Sequence, residues 1–178
     1  IEAYQVANSR NTNVSAIDSK NIELRTESNS NSGVSLGIES IEISDSLVVY
    51  SAIEPIYVTK DMTIIGHRIK PYVIDLRSGI ALNKKIILGL PQNVREEIDI
   101  ANVKLGVRQI TQFPREQRKI LLTVPLGFST INSGAARGKI LSFLSETSKE
   151  FGLSILFEVR NLEKVPEYRI VETLSFLR

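Results

Sequence analysis

Two side chains in this sequence have the chemistry to act at a site. Glu158 lies inside an apolar run (Leu153, Ile155, Leu156, Phe157 and Val159), and His67 is the only histidine of the chain. A carboxylate and an imidazole are both metal ligands, but a site built on one histidine needs further carboxylates. A lone histidine in a strand is more often packed or exposed, and an acid in an apolar strand must be paired or protonated. We therefore expect Glu158 to form a salt bridge with Arg68 or Arg160.

Two other patterns are weaker signals for a site. The sequence GAARG, residues 134–138, resembles a phosphate loop but lacks the Walker spacing and the Lys-Ser/Thr pair, so a helix N-terminus explains it better. The basic residues are scattered without interleaved aromatic residues, which predicts solvated surface and no nucleic-acid partner. They are Lys84, Lys85, Arg115, Arg118, Lys119, Arg137 and Lys139.

Composition limits the class of protein. The 178 residues are enough for one domain with a sizeable core, and no apolar run reaches the roughly 20 residues of a membrane span. The chain has no cysteine, which excludes disulfides and thiolate metal sites and fits a reducing cytoplasm, the compartment that we expect. Because it begins with Ile and shows no signal peptide, we expect a fragment of a longer protein. Residues 1–45 are rich in Asn and Ser and predict a polar linker or N-terminal extension.

The elements that must position Glu158 form a predicted strand, helix and strand. The first strand begins at Lys119 and is stopped by Pro125, and a turn at Asn132–Gly134 leads into a helix that ends before Gly152. The second strand, Leu153 to Val159, follows at once. Because both strands are apolar on both faces, we predict parallel neighbours in a sheet that helices cover.

The preceding residues predict an antiparallel hairpin and a helix. Leu47 to Val58 and Thr63 to Ile74, the latter interrupted at Pro71, are too close in sequence for a crossover helix. Ser78 to Pro91 is ambiguous between strand and loop. The following helix has Asn93 as its N-cap, Glu96 as its capping-box partner and a buried stripe of Ile100, Val103, Val107 and Ile110.

A last amphipathic helix is predicted with Pro166 in its first turn and an apolar stripe of Tyr168, Val171, Leu174 and Leu177. The order hairpin, helix, strand, helix, strand, helix is typical of an α/β sheet or barrel.

Four stretches resemble the EAL-domain family of cyclic di-GMP phosphodiesterases. The hairpin sequences IEPIYV and IIGHRI are similar to that family's Q-P-I and G-E-A-L-x-R strands; ILLTVPLGFSTI resembles its V-N-x-S strand end, and LSILFEVRNLEKVP its L-x-x-E-x-T-E strand. The resemblance covers Leu47 to Arg178, roughly half of a barrel of about 250 residues. It implies that residues 46–178 form an incomplete TIM-like (β/α) barrel of EAL type with an antiparallel first strand.

The resemblance also implies a depleted metal site. Members of the family hold Mg²⁺ or Mn²⁺ with the Glu of E-A-L, the Asn of V-N and the Glu of the next strand. These positions correspond to His67, Pro125 and Glu158, so one of the three oxygen ligands remains. We therefore expect no catalytic residue and no metal cofactor.

The positions that contact the nucleotide in the family have changed as well. The phosphate-binding Arg corresponds to Pro71, the Gln of Q-P-I to Glu54, and the last Glu of E-x-T-E to Asn161. An acid at position 54 is unfavourable for an anionic ligand. Glu54, His67 and Glu158 are the vestigial ligand-binding residues that the resemblance implies.

Three functions follow as alternatives. The first is an inactive EAL-like signalling module that acts through a protein partner or homodimer, or through weak cyclic di-GMP sensing. The second is an active phosphodiesterase, which needs Mg²⁺ or Mn²⁺ and acids outside this set. The third is an unrelated α/β domain that binds nucleic acid or protein.

Overall fold

The computed structural model describes residues 39–61, 63–114 and 121–175. They form six strands and five helices. In chain order these are β1 (Ser40–Ser44), β2 (Leu47–Val58), β3 (Thr63–Asp75), β4 (Ile80–Ala81), α1 (Lys84–Gly89), α2 (Gln92–Thr111), β5 (Leu121–Gly127), α3 (Phe128–Asn132), α4 (Gly134–Phe151), β6 (Ile155–Arg160) and α5 (Glu167–Ser175).

All six strands belong to one mixed, open sheet of an α/β fold. The order is β1-β2-β3-β5-β6, with β4 on the far part of β3. The pairs β1/β2, β2/β3 and β3/β4 are antiparallel, whereas β3/β5 and β5/β6 are parallel. The predictions of an antiparallel hairpin and of two adjacent parallel strands are both confirmed. The predicted beginning of the first parallel strand, Lys119 and Ile120, lies outside the described residues.

Helices α2 and α4 pack on the same face of this sheet. Val103 and Val107 of α2 and Ile140 and Leu144 of α4 share one buried cluster with the inward residues of β3, β5 and β6. The opposite face has no helix packed along its length within the described residues, and Leu156 there is 51% exposed. Our expectation of helices on both faces was therefore wrong, because the apolar residues of β6 do not all mark buried positions.

Two prolines predicted to interrupt strands lie inside them. Pro71 pairs with Ser51 within β3, beyond the stretch Gly66–Arg68 where β5 is paired, so its missing N–H costs no ladder bond to β5. Pro125 lies inside β5, which continues to Gly127. Both predicted interruptions were wrong.

Helix α2 begins one residue before its predicted cap. Pro91 occupies the N-cap position and Asn93 lies within the first turn, so the predicted capping box is absent. Glu96 instead accepts hydrogen bonds from Gln92 Nε2 (2.7 Å) and Ser133 Oγ (3.2 Å). Of the predicted stripe, Val103, Val107 and Ile110 are buried and Ile100 packs at the edge of the cluster, as expected.

Two turn regions contain short helices that the sequence patterns did not predict. The ambiguous segment Ser78–Pro91 includes β4 and α1, and Asn83 caps α1 by accepting a hydrogen bond from the Ile86 N–H (3.0 Å). The predicted turn at Asn132–Gly134 overlaps the end of α3, and Ser133 caps α4. Gly152 ends α4 in the left-handed conformation (φ 66°), as predicted.

The two ends of the described chain also differ from expectation. Ser40–Ser44 form β1, so the sheet includes part of the predicted linker of residues 1–45; residues 1–38 lie outside the described residues. In α5 the described residues of the predicted apolar stripe are exposed, with Tyr168 at 71% and Val171 at 64%, whereas Thr173 is buried. Leu177, the last residue of that stripe, lies outside the described residues. No described helix is both long and apolar enough to cross a membrane.

Candidate functional site on the open sheet face

The open face of the sheet carries a row of charges. Ile69 and Val73 of β3 point toward the helices, so the alternating residues Arg68 and Lys70 point to the other side. Cross-strand pairing places Glu54 of β2 opposite Arg68, and Glu158 of β6 lies opposite Pro125 of β5 on the same face. The fold therefore brings Glu54 and Glu158 to one face.

Arg68 binds Glu158 through both ends of its guanidinium fork. Nε donates to Oε2 and Nη2 to Oε1, each at 2.7 Å, so the side chain crosses β5 to reach β6. The hydrogen bonds that Arg68 donates to Glu158 raise the pKa of Arg68. Planar two-point pairing is the strong arrangement for arginine and carboxylate. Of the two partners expected for Glu158, the structure confirms Arg68.

Glu54 is also paired with cations. Its Oε1 lies 2.8 Å from Lys70 Nζ, and its Oε2 lies 3.9 Å from Arg68 Nη1. The hydrogen bond to Glu54 raises the pKa of Lys70, and Lys70 also lies 5.4 Å from the ring centroid of Tyr72. Glu54 and Glu158 thus belong to one network in which each carboxylate faces a cation.

His67 lies on the opposite, helix-covered face. It is 7% exposed and packs edge-on against Phe113, with 5.5 Å between the ring centroids. Burial lowers the pKa of His67, which favours the neutral ring. Of the two ordinary outcomes expected for a lone strand histidine, packed or exposed, the structure shows the packed one. The structure does not bring His67 together with the two glutamates.

This arrangement of side chains is a poor metal site. Both carboxylates are committed to cations on the open face, and the imidazole points away from them. Among residues 39–61, 63–114 and 121–175, no cluster of three or more His, Asp or Glu side chains is arranged to hold a metal ion. What the face offers chemically is recognition of charge, with fixed guanidinium, ammonium and carboxylate groups.

The sequence analysis missed a buried acid, Asp99 of α2, whose carboxylate lies beside the end of β5. Asp99 Oδ2 accepts hydrogen bonds from the Gly127 N–H (2.8 Å) and from Thr130 Oγ1 (2.6 Å). Arg160 Nη2 lies 3.8 Å from Asp99 Oδ1. Burial raises the pKa of Asp99, although both hydrogen bonds and Arg160 oppose that shift.

A signal for Asp99 was present in the sequence. It lies one helical turn before Val103, so the buried stripe of α2 contains an acid at its N-terminal end. A carboxylate on a buried helix face must find donors, and here the start of α3 provides them.

Comparison with known proteins identifies no relative. No protein-family model, curated protein or solved structure matches the chain.

Proposed function

We propose that this chain is an EAL-like signalling module that lacks phosphodiesterase activity and works by binding. The observation that carries the proposal is the two-point ion pair of Arg68 with Glu158. Glu158 is the carboxylate that the resemblance assigns to the metal. In this chain the guanidinium of Arg68 already binds both oxygens of that carboxylate.

The topology supports the EAL-like part of the proposal. Strands β3, β5 and β6 are parallel, adjacent and in sequence order, and α2 and α4 lie on one face of them. A (β/α) barrel repeats this unit with all helices outside. The antiparallel neighbour β2 matches the first strand expected from the resemblance.

The electrostatics support the inactive part of the proposal. Mg²⁺ and Mn²⁺ select oxygen ligands, and Arg68 places a permanent positive charge on the one expected ligand that remains. At the expected amide position, Pro125 offers no side-chain oxygen. To bind a cation, Glu158 would have to leave two charge-assisted hydrogen bonds and expose the like charge of Arg68 to the metal.

Exposed apolar residues support action through protein contacts. Tyr168, Val171 and Leu174 occupy one exposed side of α5, at spacings typical of a helix contact face. Weak cyclic di-GMP sensing is the second part of the proposed binding function, and it rests on the sequence resemblance. The absence of cysteine fits a module that works in the cytoplasm.

A turnover assay tests the proposal. The full chain is incubated with cyclic di-GMP and excess Mn²⁺, and the linear dinucleotide is quantified beside Glu158→Gln and Glu163→Gln. Glu163 is an exposed carboxylate beyond β6 and serves as the matched control. We expect no product above the no-enzyme background from any of the three proteins.

One outcome overturns the proposal. It is Mn²⁺-dependent product formation by the wild-type chain and by Glu163→Gln that is lost in Glu158→Gln, because Glu158 would then act as a metal ligand.

A further inference from the structure

A cleft of about 490 Å³ opens at the end of the sheet where β5 and β6 finish. Its walls come from the far part of β3, from α1, from the first turns of α2 and from the residues that end β5 and β6. Crevices outside the carboxyl ends of parallel strands are common ligand sites in α/β folds. Glu54, His67 and Glu158 do not line this cleft, whereas Arg68 and Lys70, which pair with Glu158 and Glu54, do.

Positive charge dominates the lining of the cleft. Lys84, Arg95 and Arg160 contribute cations from α1, α2 and β6, and Asp99 is the acid among the lining residues. Arg68 and Lys70 also line the cleft, but they already pair with Glu158 and Glu54. Lys84 and Arg95 have no ion-pair partner in the described part of the chain. Asp99 is buried and already accepts two hydrogen bonds from α3 and its N-cap residue. The cleft therefore has an excess of cations over acids.

The guanidinium groups of Arg95 and Arg160 have few hydrogen-bond acceptors in the protein. The Arg160 guanidinium has one long ion pair, 3.8 Å to Asp99, and makes no hydrogen bond within the described ranges. Arg95 donates from Nη1 to the Leu88 carbonyl (2.7 Å). The Nε of each residue is buried without an acceptor. Guanidinium groups have five donors in a fork that matches oxyanions, so each can still bind an anionic group.

The rest of the lining is largely apolar. Its apolar residues include Leu82, Ile87, Leu88 and Ile98, together with Pro71 and Tyr72 of β3. The volume is in the range of small-molecule sites, which combine an apolar wall with a few placed polar groups. It is far too small for a folded partner or a nucleic-acid duplex.

We propose that this cleft binds a small organic anion, with a phosphate or carboxylate group held by Arg95, Arg160 and Lys84 and an apolar or aromatic body against Leu82, Ile87 and Tyr72. The proposed contacts use none of the three vestigial residues, and they do not use Arg68 or Lys70, which already pair with Glu158 and Glu54. The same cations can bind a phosphate or a carboxylate, so the test includes one probe of each kind.

Titration of the isotope-labelled full chain, followed by amide chemical shifts, tests the proposal. The probes are phenyl phosphate and benzoate, with benzyl alcohol as the uncharged analogue. We expect saturable shifts with at least one anion and none with benzyl alcohol, and weaker binding at high salt. Arg160→Gln and Lys84→Gln should each lower the affinity about tenfold or more, the scale of a lost charge-assisted hydrogen bond.

Arg169→Gln is the matched control. Arg169 is exposed on α5 and does not line the cleft, so this variant removes one charge without touching the site. Lys84 is exposed at the start of α1, so its variant remains informative if Arg160→Gln does not fold. Two results overturn the proposal: the absence of saturable binding with both anions, and equal affinity in the cleft variants and Arg169→Gln.

Discussion

Gly106 allows α2 to lie close to the sheet, and its replacement by Ala makes a quantitative test of that packing. A Cβ at position 106 would overlap the side chain of Ile69, with Ile69 Cβ at 2.8 Å and Ser51 Oγ at 3.1 Å. Ile69 is fully buried in β3 and cannot rotate away. Overpacking of this kind costs up to about 3 kcal/mol, and the helix propensity of Ala returns about 1 kcal/mol. We therefore expect Gly106→Ala to lower the free energy of unfolding by about 2 kcal/mol.

Gly138 provides a matched control for this substitution. It lies inside α4, and a Cβ there meets no atom within 4 Å. Gly138→Ala should thus gain the propensity term alone, about 1 kcal/mol. The two variants should differ by about 3 kcal/mol in urea unfolding followed by circular dichroism, or roughly 9 °C in Tm. A Gly106→Ala variant as stable as Gly138→Ala would refute the close approach of α2 to β3.

Three further predictions concern the charged residues. Burial lowers the pKa of His67 in the folded chain below its ordinary value of 6.5, so on acidification the unfolded chain protonates this ring at a higher pH than the folded chain does. The free energy of unfolding should therefore fall as the pH drops below about 6.5. His67→Gln should lose that dependence in urea titrations at several pH values, and an unchanged pH profile would contradict the assignment. A double-mutant cycle of Arg68→Met and Glu158→Gln should give a coupling of about 1–2 kcal/mol, reduced by the partial exposure of the pair; additive effects would show that the ion pair is absent. Burial raises the pKa of Asp99 in the folded chain above its ordinary value of 3.8, so the folded chain holds this proton more tightly than the unfolded chain. The free energy of unfolding should therefore decline as the pH rises through the interval from 3.8 to the raised pKa. The stability of Asp99→Asn relative to wild type should therefore increase across that interval, and a difference that stays constant with pH would contradict this sign.

The pairing of strands was predictable where local patterns determine it. A connection too short for a helix made β2 and β3 antiparallel, and an intervening helix with a glycine at its end made β5 and β6 parallel. The need of Glu158 for a cation was also predictable, because a charged acid in an apolar strand must be paired, and Arg68 was one of the two partners expected. The strand pairing depends on residues near one another in sequence, and the pairing of Glu158 depends on the general free-energy cost of burying a charge.

Features that depend on tertiary context were not predictable. Pro71 and Pro125 are tolerated in strands because of which neighbour each strand has at that position, and the sequence carries no record of that neighbour. The stripe of α5 has the spacing of a buried face, yet Tyr168 and Val171 are exposed, because periodicity does not say whether a surface is present to cover it. The cleft was missed because Lys84, Arg95 and Arg160 come from three separate elements.

Calorimetric titration of Mn²⁺ into the full chain tests the central claim most directly, namely that Arg68 holds Glu158 in place of a metal. The wild-type chain should give only heats of dilution, and Glu158→Gln should be indistinguishable from it. The contrary result is saturable binding of one Mn²⁺ per chain that Glu158→Gln abolishes and Glu163→Gln preserves, since Glu158 would then leave Arg68 to bind the metal.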